Sequence, residues 1–264
     1  MANYTNLMNS IWYGEVLKSN TSDIKENILR TETEEDVILQ LVELFKLGDF
    51  TQKPLLVQLL NQSEDDAVLN LCIRIFCSIC THEDLRDADN LRFLEKATEN
   101  TVNTFASAAV TTLSLEVIPY LLALLEDWGE INDTSTIIRD SIDAFIDVEE
   151  HLSEDATVEE IGQYYFEYLN DDDSDQYYFN QKPVFPGDLA KGLIERVLIA
   201  ANKEQALEME LIPSLLSIWS GNKMPGDYYT VINADNYKVF INYVEELSKK
   251  NWDKGQKYFY EHKI

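Results

Sequence analysis

The stretch from Glu116 to Ile146 restricts this chain more than any other, because it can bury its apolar residues only by packing helix on helix. Its first half is an apolar run with Pro119 near the start, where a helix has amide hydrogens without intrahelical partners and tolerates proline. Ile118, Leu121, Leu122 and Leu125 recur at helical spacing and form one stripe. Glu126 and Asp127 end the run, and Gly129 supplies the left-handed residue expected after a helix. Asp133, Thr134 and Ser135 are candidate N-caps for a second helix that buries Ile138, Ile142, Ala144 and Phe145. Two helices of this kind need neighbours like themselves.

The same pattern repeats along the chain. Thr33 and Asp36 read as a capping box ahead of Val37, Leu41, Leu44 and Phe45, with Gly48 as the stop. Pro54 to Leu60 is another apolar run with proline in its first turn. Ser63 reads as the cap of a helix running to about Cys80 and apolar on most sides. Residues 81–97 and 101–113 predict two further helices, and another opens near Glu154. Beyond a loop with Pro183, Pro186 and Gly187, helices are expected at about 189–201, 211–219, 235–249 and 252–261. Strand-like pairs with a hairpin turn are not evident. Val117–Leu124 is echoed by Leu211–Ile218 and more faintly by Pro54–Leu56, at unequal spacings.

In Pro119, Leu121, Leu122, Asp127 and the pair Ile138–Arg139 the stretch resembles a HEAT repeat, with a longer turn. That resemblance implies that Asp127 and Arg139 tie adjacent repeats together. The expectation is an all-α fold, an irregular α-solenoid of HEAT-like helical pairs. Residues 1–264 form a single helical-repeat-like domain, with a possible subdivision near 170–188.

Net charge decides which partners such a scaffold attracts. Against 48 acidic residues stand 21 basic ones, a formal charge of -27. Such a surface repels phosphate backbones, so nucleic acid is not an expected partner. It steers basic macromolecules toward itself, although solubility alone also accounts for it. No apolar run approaches the ~20 residues of a membrane span, so no membrane is expected as a partner. The first fifteen residues lack a basic segment followed by an apolar core, so the expected location is cytoplasmic.

Chemistry-bearing constellations are scarce. Of the three histidines, His82, His151 and His262, none sits in a recognisable nucleophile motif, and the nine glycines include no phosphate-cradling loop. Cys77 and Cys80 have metal or redox spacing, with Cys72 and His82 nearby, but no second pair follows. Set among Leu71, Ile73, Ile75 and Phe76, they read as small buried groups in a reducing compartment. No catalytic residue, cofactor or metal site is assigned, and an enzyme is not expected.

Residues 140–181 carry fourteen Asp/Glu and no Lys or Arg. Asp171, Asp173 and Asp175 alternate as in a calcium loop, but Gln176 replaces the needed glycine and Lys182 the closing acid. The competing readings are a solvated loop and a protein-binding surface. In the second, Glu167, Asp171, Asp172, Asp173, Asp175, Tyr177 and Tyr178 contact a basic partner. A third placement has the basic C-terminus (Lys249, Lys250, Lys254, Lys257 and Lys263) docking on this acidic region.

In Asn6–Gly14, Phe185–Leu189 and Ile218–Gly221 the chain resembles a family of bacterial immunity proteins from polymorphic toxin systems, the one numbered forty-seven. The resemblance implies a cytoplasmic protein that neutralises a cognate toxin by binding it, and transfers no site residue. With the charge, it points to a stoichiometric inhibitor of a basic toxin such as a nuclease. The alternative is a HEAT-like adaptor in an endogenous complex.

Overall fold

A computed structural model describes residues 20–153, 155–169 and 176–264. The stack begins with α1 (Thr21–Arg30), α2 (Glu34–Lys46), α3 (Lys53–Gln62) and α4 (Asp66–Ile79). The short α5 (His82–Arg86) and a 3₁₀ segment (Ala88–Lys96) lead to α6 (Glu99–Ala109). Then come α7 (Ile118–Trp128), α8 (Asn132–Ile146), the short α9 (Val148–His151) and α10 (Val158–Leu169). The later part holds α11 (Pro186–Lys203), α12 (Ile212–Ser220) and α13 (Tyr237–Ser248).

Consecutive helices pair, α1 with α2, α3 with α4 and α7 with α8, while α2, α4, α6 and α8 pack side by side in succession. From α1 to α8 the chain is thus built of two helical layers. The inner helix α4 has neighbours on most sides and is apolar on most sides: Leu71, Cys72, Ile73, Ile75, Phe76, Cys77 and Ile79 are all buried. One contiguous core runs from Ile24 to Tyr260. All-α is the observed class, and no helix among the described residues is long and apolar enough to cross a membrane.

Proline opens α3, α7 and α12 within their first two positions, as the apolar runs imply. Ile118, Leu121 and Leu125 of α7 are buried, as are Ile138, Ile142 and Phe145 of α8, and the two helices pack together. Several local expectations are corrected. Gly129 has φ -61°, right-handed, and α8 begins without a side-chain cap, so Asp133, Thr134 and Ser135 do not serve as one. The helix expected over 81–97 is α5 plus the 3₁₀ segment, kinked at Leu91. α4 is capped by Asp65, whose carboxylate accepts from the Ala67 and Val68 amides; Ser63 instead donates to Glu34 at 2.6 Å. Arg139 donates to the Ala156 carbonyl at 3.0 Å, and Asp127 lies exposed on the last turn of α7.

The largest departure is at the C-terminus, where 252–261 is not a helix. Strands β3 (Tyr258–Phe259) and β4 (His262–Lys263) form a hairpin, matching an earlier one made by β1 (Tyr178–Phe179) and β2 (Lys182–Pro183). Both have two-residue turns, Asn180–Gln181 and Tyr260–Glu261, with positive φ at each position, the geometry that suits strand twist. The C-terminal hairpin is a clasp. Its Tyr260 and Glu261 amides donate to the Ile218 and Trp219 carbonyls at the end of α12, and the Tyr260 ring lies 5.3 Å from Lys46 Nζ at the end of α2.

Candidate functional site

The four inner helices start on the same side of the molecule. At their beginnings, Ser63 Oγ, just before α4, donates to Glu34 of α2, and Thr134 Oγ1 of α8 donates to Glu99 of α6 at 3.4 Å. At their ends, His82 Nδ1, just past α4, lies 2.7 Å from Ser114 Oγ, just past α6. One edge of the stack is therefore a row of helix N-termini. It carries Glu34, Glu35 and Asp36 on α2, then Glu64, Asp65 and Asp66 at α4, Glu99 on α6, and Glu130 and Asp133 at α8, every one exposed. Negative groups favour these positions because unpaired amides leave a partial positive charge there. Among the described residues, none of these nine carboxylates forms an ion pair.

The opposite edge carries Lys53, Asp84, His82, Ser114 and Lys257. Lys53 Nζ binds Asp84 at 2.6 Å, and Asp84 also accepts from the Thr81 amide at 2.7 Å. Burial pushes the Asp84 carboxyl up, but the Lys53 bond and charge and the Thr81 donors outweigh it and hold the group below its ordinary value. Lys257, on the clasp, is fully buried and reaches the end of α4. His82 and Ser114 do not make a nucleophilic pair. Ser114 is 1% exposed, and its hydroxyl also accepts the Glu116 amide to start the 3₁₀ turn Leu115–Val117. Burial raises all three thiols, Cys72 to about 12, so none is a ready thiolate. Among the described residues no group of three or more His, Cys, Asp and Glu is arranged to hold a metal.

The residues singled out in the sequence separate into three groups. Glu167 is exposed on α10 and accepts from Gln163 at 2.9 Å; beside it Phe166 is 65% exposed. Tyr177 and Tyr178 are buried, so in this structure their rings are not offered to a partner. Tyr177 stacks on His82 at 4.2 Å, and its amide donates to Gly255; the Tyr178 amide donates to Leu113. Asp171, Asp172, Asp173 and Asp175 lie outside the described residues. Of the C-terminal lysines, Lys257 Nζ lies 5.8 Å from the Tyr177 ring, and three others have ion-pair partners among the described residues. Lys249 pairs with Glu246, Lys250 with Glu261 and Lys263 with Asp253, all within residues 246–263.

The acidic edge itself was missed. Its signal was present as Glu/Asp in one first turn after another, but only the order of packing places those turns in one row. A groove of about 850 Å³ between α11 and α13, walled by Phe185, Leu247 and Trp252, was likewise not legible.

No curated protein and no solved structure matches the chain. A family model described as immunity protein 47 matches residues 7–264. Mostly helical, and matched over nearly its whole length, this chain belongs to the immunity protein 47 family.

Proposed function

We propose that the chain neutralises a cognate toxin by stoichiometric binding, that the toxin is basic, and that an acidic face of the immunity protein occludes it. The activity blocked is of the nuclease class, because enzymes that handle phosphate carry basic surfaces. The chain acts in the cytoplasm and transforms no substrate. The observation that carries this reading is the row of nine exposed carboxylates along one edge of the inner helices, free of ion pairs among the described residues, on a chain of net charge -27. Charges so displayed accelerate encounter with an oppositely charged partner and reject partners of like charge.

The test uses the product of a neighbouring toxin gene, recovered by co-purification. Association is measured against salt for the parent and for Glu35→Gln/Glu64→Gln/Glu99→Gln. The triple variant is expected to associate about tenfold more slowly at low salt and to lose part of its salt dependence, with dissociation little changed. Unchanged rates and slope would remove this edge from the interface. A second set reversing Asp171, Asp172, Asp173 and Asp175 asks the same of that acidic stretch. An effect there and none at the edge would move the contact to it.

A further inference from the structure

Three reactive groups meet at the C-terminal end of α4 and take no part in the surface just described. Lys257 Nζ donates to the Cys77 carbonyl at 2.7 Å and the Cys80 carbonyl at 3.0 Å, and stands 3.7 Å from Cys80 Sγ. Lys257, Cys77 and Cys80 are each 0% exposed, and the Tyr177 ring covers the amine at 5.8 Å. Among the described residues no carboxylate pairs with this amine. Burial holds it below the ordinary lysine value, against the opposing pull of Cys80 and Cys77, which enlarges its neutral, nucleophilic fraction. Cys77 meets the amine through its carbonyl, whereas Cys80 meets it through sulfur as well.

We infer that Cys80 Sγ and Lys257 Nζ are placed to form a covalent cross-link when the protein is oxidised by a peroxide, fastening the C-terminal clasp to α4. Once local opening of the clasp exposes Cys80 and lets it ionise, its thiolate attacks one oxygen of hydrogen peroxide. The O–O bond breaks, the sulfur becomes a sulfenic acid, and the other oxygen takes up the released proton and leaves as water. The nitrogen lone pair of neutral Lys257 then attacks that sulfur. An S–N bond forms, the S–O bond breaks, and the hydroxyl departs as a second water with a proton from nitrogen. One peroxide is reduced and the thiol–amine pair loses two hydrogens. Because the sulfur is buried, the rate follows local opening of the clasp. The product joins residues 177 apart in sequence and restricts the unfolded chain accordingly.

The experiment treats the full chain with hydrogen peroxide and maps its peptides by mass spectrometry, with Cys80→Ser, Cys77→Ser and Lys257→Arg alongside. The expected result is a peptide containing residue 80 joined to one containing residue 257, lighter by two hydrogens and released by dithiothreitol. The link persists in Cys77→Ser, disappears in Cys80→Ser and Lys257→Arg, and raises the unfolding midpoint over the reduced protein. A Cys77–Cys80 disulfide, sulfinic or sulfonic acid without the link, or no modification at all would overturn the inference. Should Lys257→Arg fail to fold, Cys80→Ser, which keeps the packing nearly intact, decides alone. The outcome is independent of how the toxin is bound.

Discussion

Gly221 and Tyr260 offer a direct measure of how firmly the C-terminal clasp is seated. Gly221 follows α12 with φ +69°, and its amide closes the helix on the Ser217 carbonyl. A Cβ built there would stand 2.7 Å from Tyr260 Cδ1. Tyr260 is 5% exposed, with its backbone anchored by its amide to the Ile218 carbonyl, so the ring is packed where the methyl would go. Gly221→Ala therefore carries two costs. The left-handed backbone costs about 1–2 kcal/mol for a residue with a Cβ, and forcing a methyl against a fixed ring adds about 1–3 kcal/mol. Only the second depends on the tyrosine. In a Tyr260→Ala background, itself weakened by about 3–5 kcal/mol, the glycine substitution should cost only the backbone part. Urea unfolding of the four proteins, followed by tryptophan fluorescence and circular dichroism together, gives the coupling. About 1–3 kcal/mol is expected. Costs that add to within about 0.5 kcal/mol would refute the wedge, and with it the account of the hairpin as a clasp between α2 and α12.

Alkaline pH should destabilise the protein. Cys72, Cys77 and Cys80, with Tyr165 and Tyr177, are raised mainly by burial, so the folded state holds their protons after the unfolded chain has released them. Their stabilisation is complete below the unfolded values and falls from about pH 8.5 upward, by up to ~1.4 kcal/mol per pH unit for each group in its window; Lys257, lowered by burial, opposes this. Urea midpoints from pH 8 to 10.5 should decline, and less steeply in Cys72→Ala; a flat profile counts against the buried thiols. At the acid end, Asp84 is held below its ordinary value, so its contribution is present above about pH 4 and is lost as pH falls further. Asp84→Asn should flatten that limb and lower stability at pH 7, and an unchanged acid limb would show the Lys53 pair to be inert.

Helices and their buried faces were legible because 3.6-residue periodicity and first-turn prolines are local signals. α7 and α8 fall where Ile118, Leu121, Leu125, Ile138 and Ile142 place them. The C-terminal hairpin was not legible, for a local reason. Its turn residues are Tyr260 and Glu261, where Asn-Gly or Asp-Gly would announce a two-residue turn. Consecutive aromatics and lysines at 252–263 read equally well as an amphipathic helix. The carbonyl partners of Lys257 were not legible for a different reason: sequence offers carboxylates as the natural partners of a lysine, whereas this amine is held by carbonyls at a helix end. Tyr177 and Tyr178 illustrate the same limit, because aromatics beside an acidic run look like interface until contacts from distant segments cover them. The acidic edge required knowing that α2, α4, α6 and α8 lie side by side and start together, which no local pattern states.

The row of helix beginnings also constrains how this protein can diverge. Each carboxylate there steadies the helix it opens, and Asp65 additionally fixes two amides of α4. Swapping such a position for lysine is expected to cost stability, about 0.3–1 kcal/mol for an exposed first-turn charge. Drift in surface charge should therefore collect on sites away from helix starts, such as Glu95 and Glu126 in the last turns of their helices, while first turns change slowly. Relatives carrying new partners would then be found with altered flanks around a persistent negative margin.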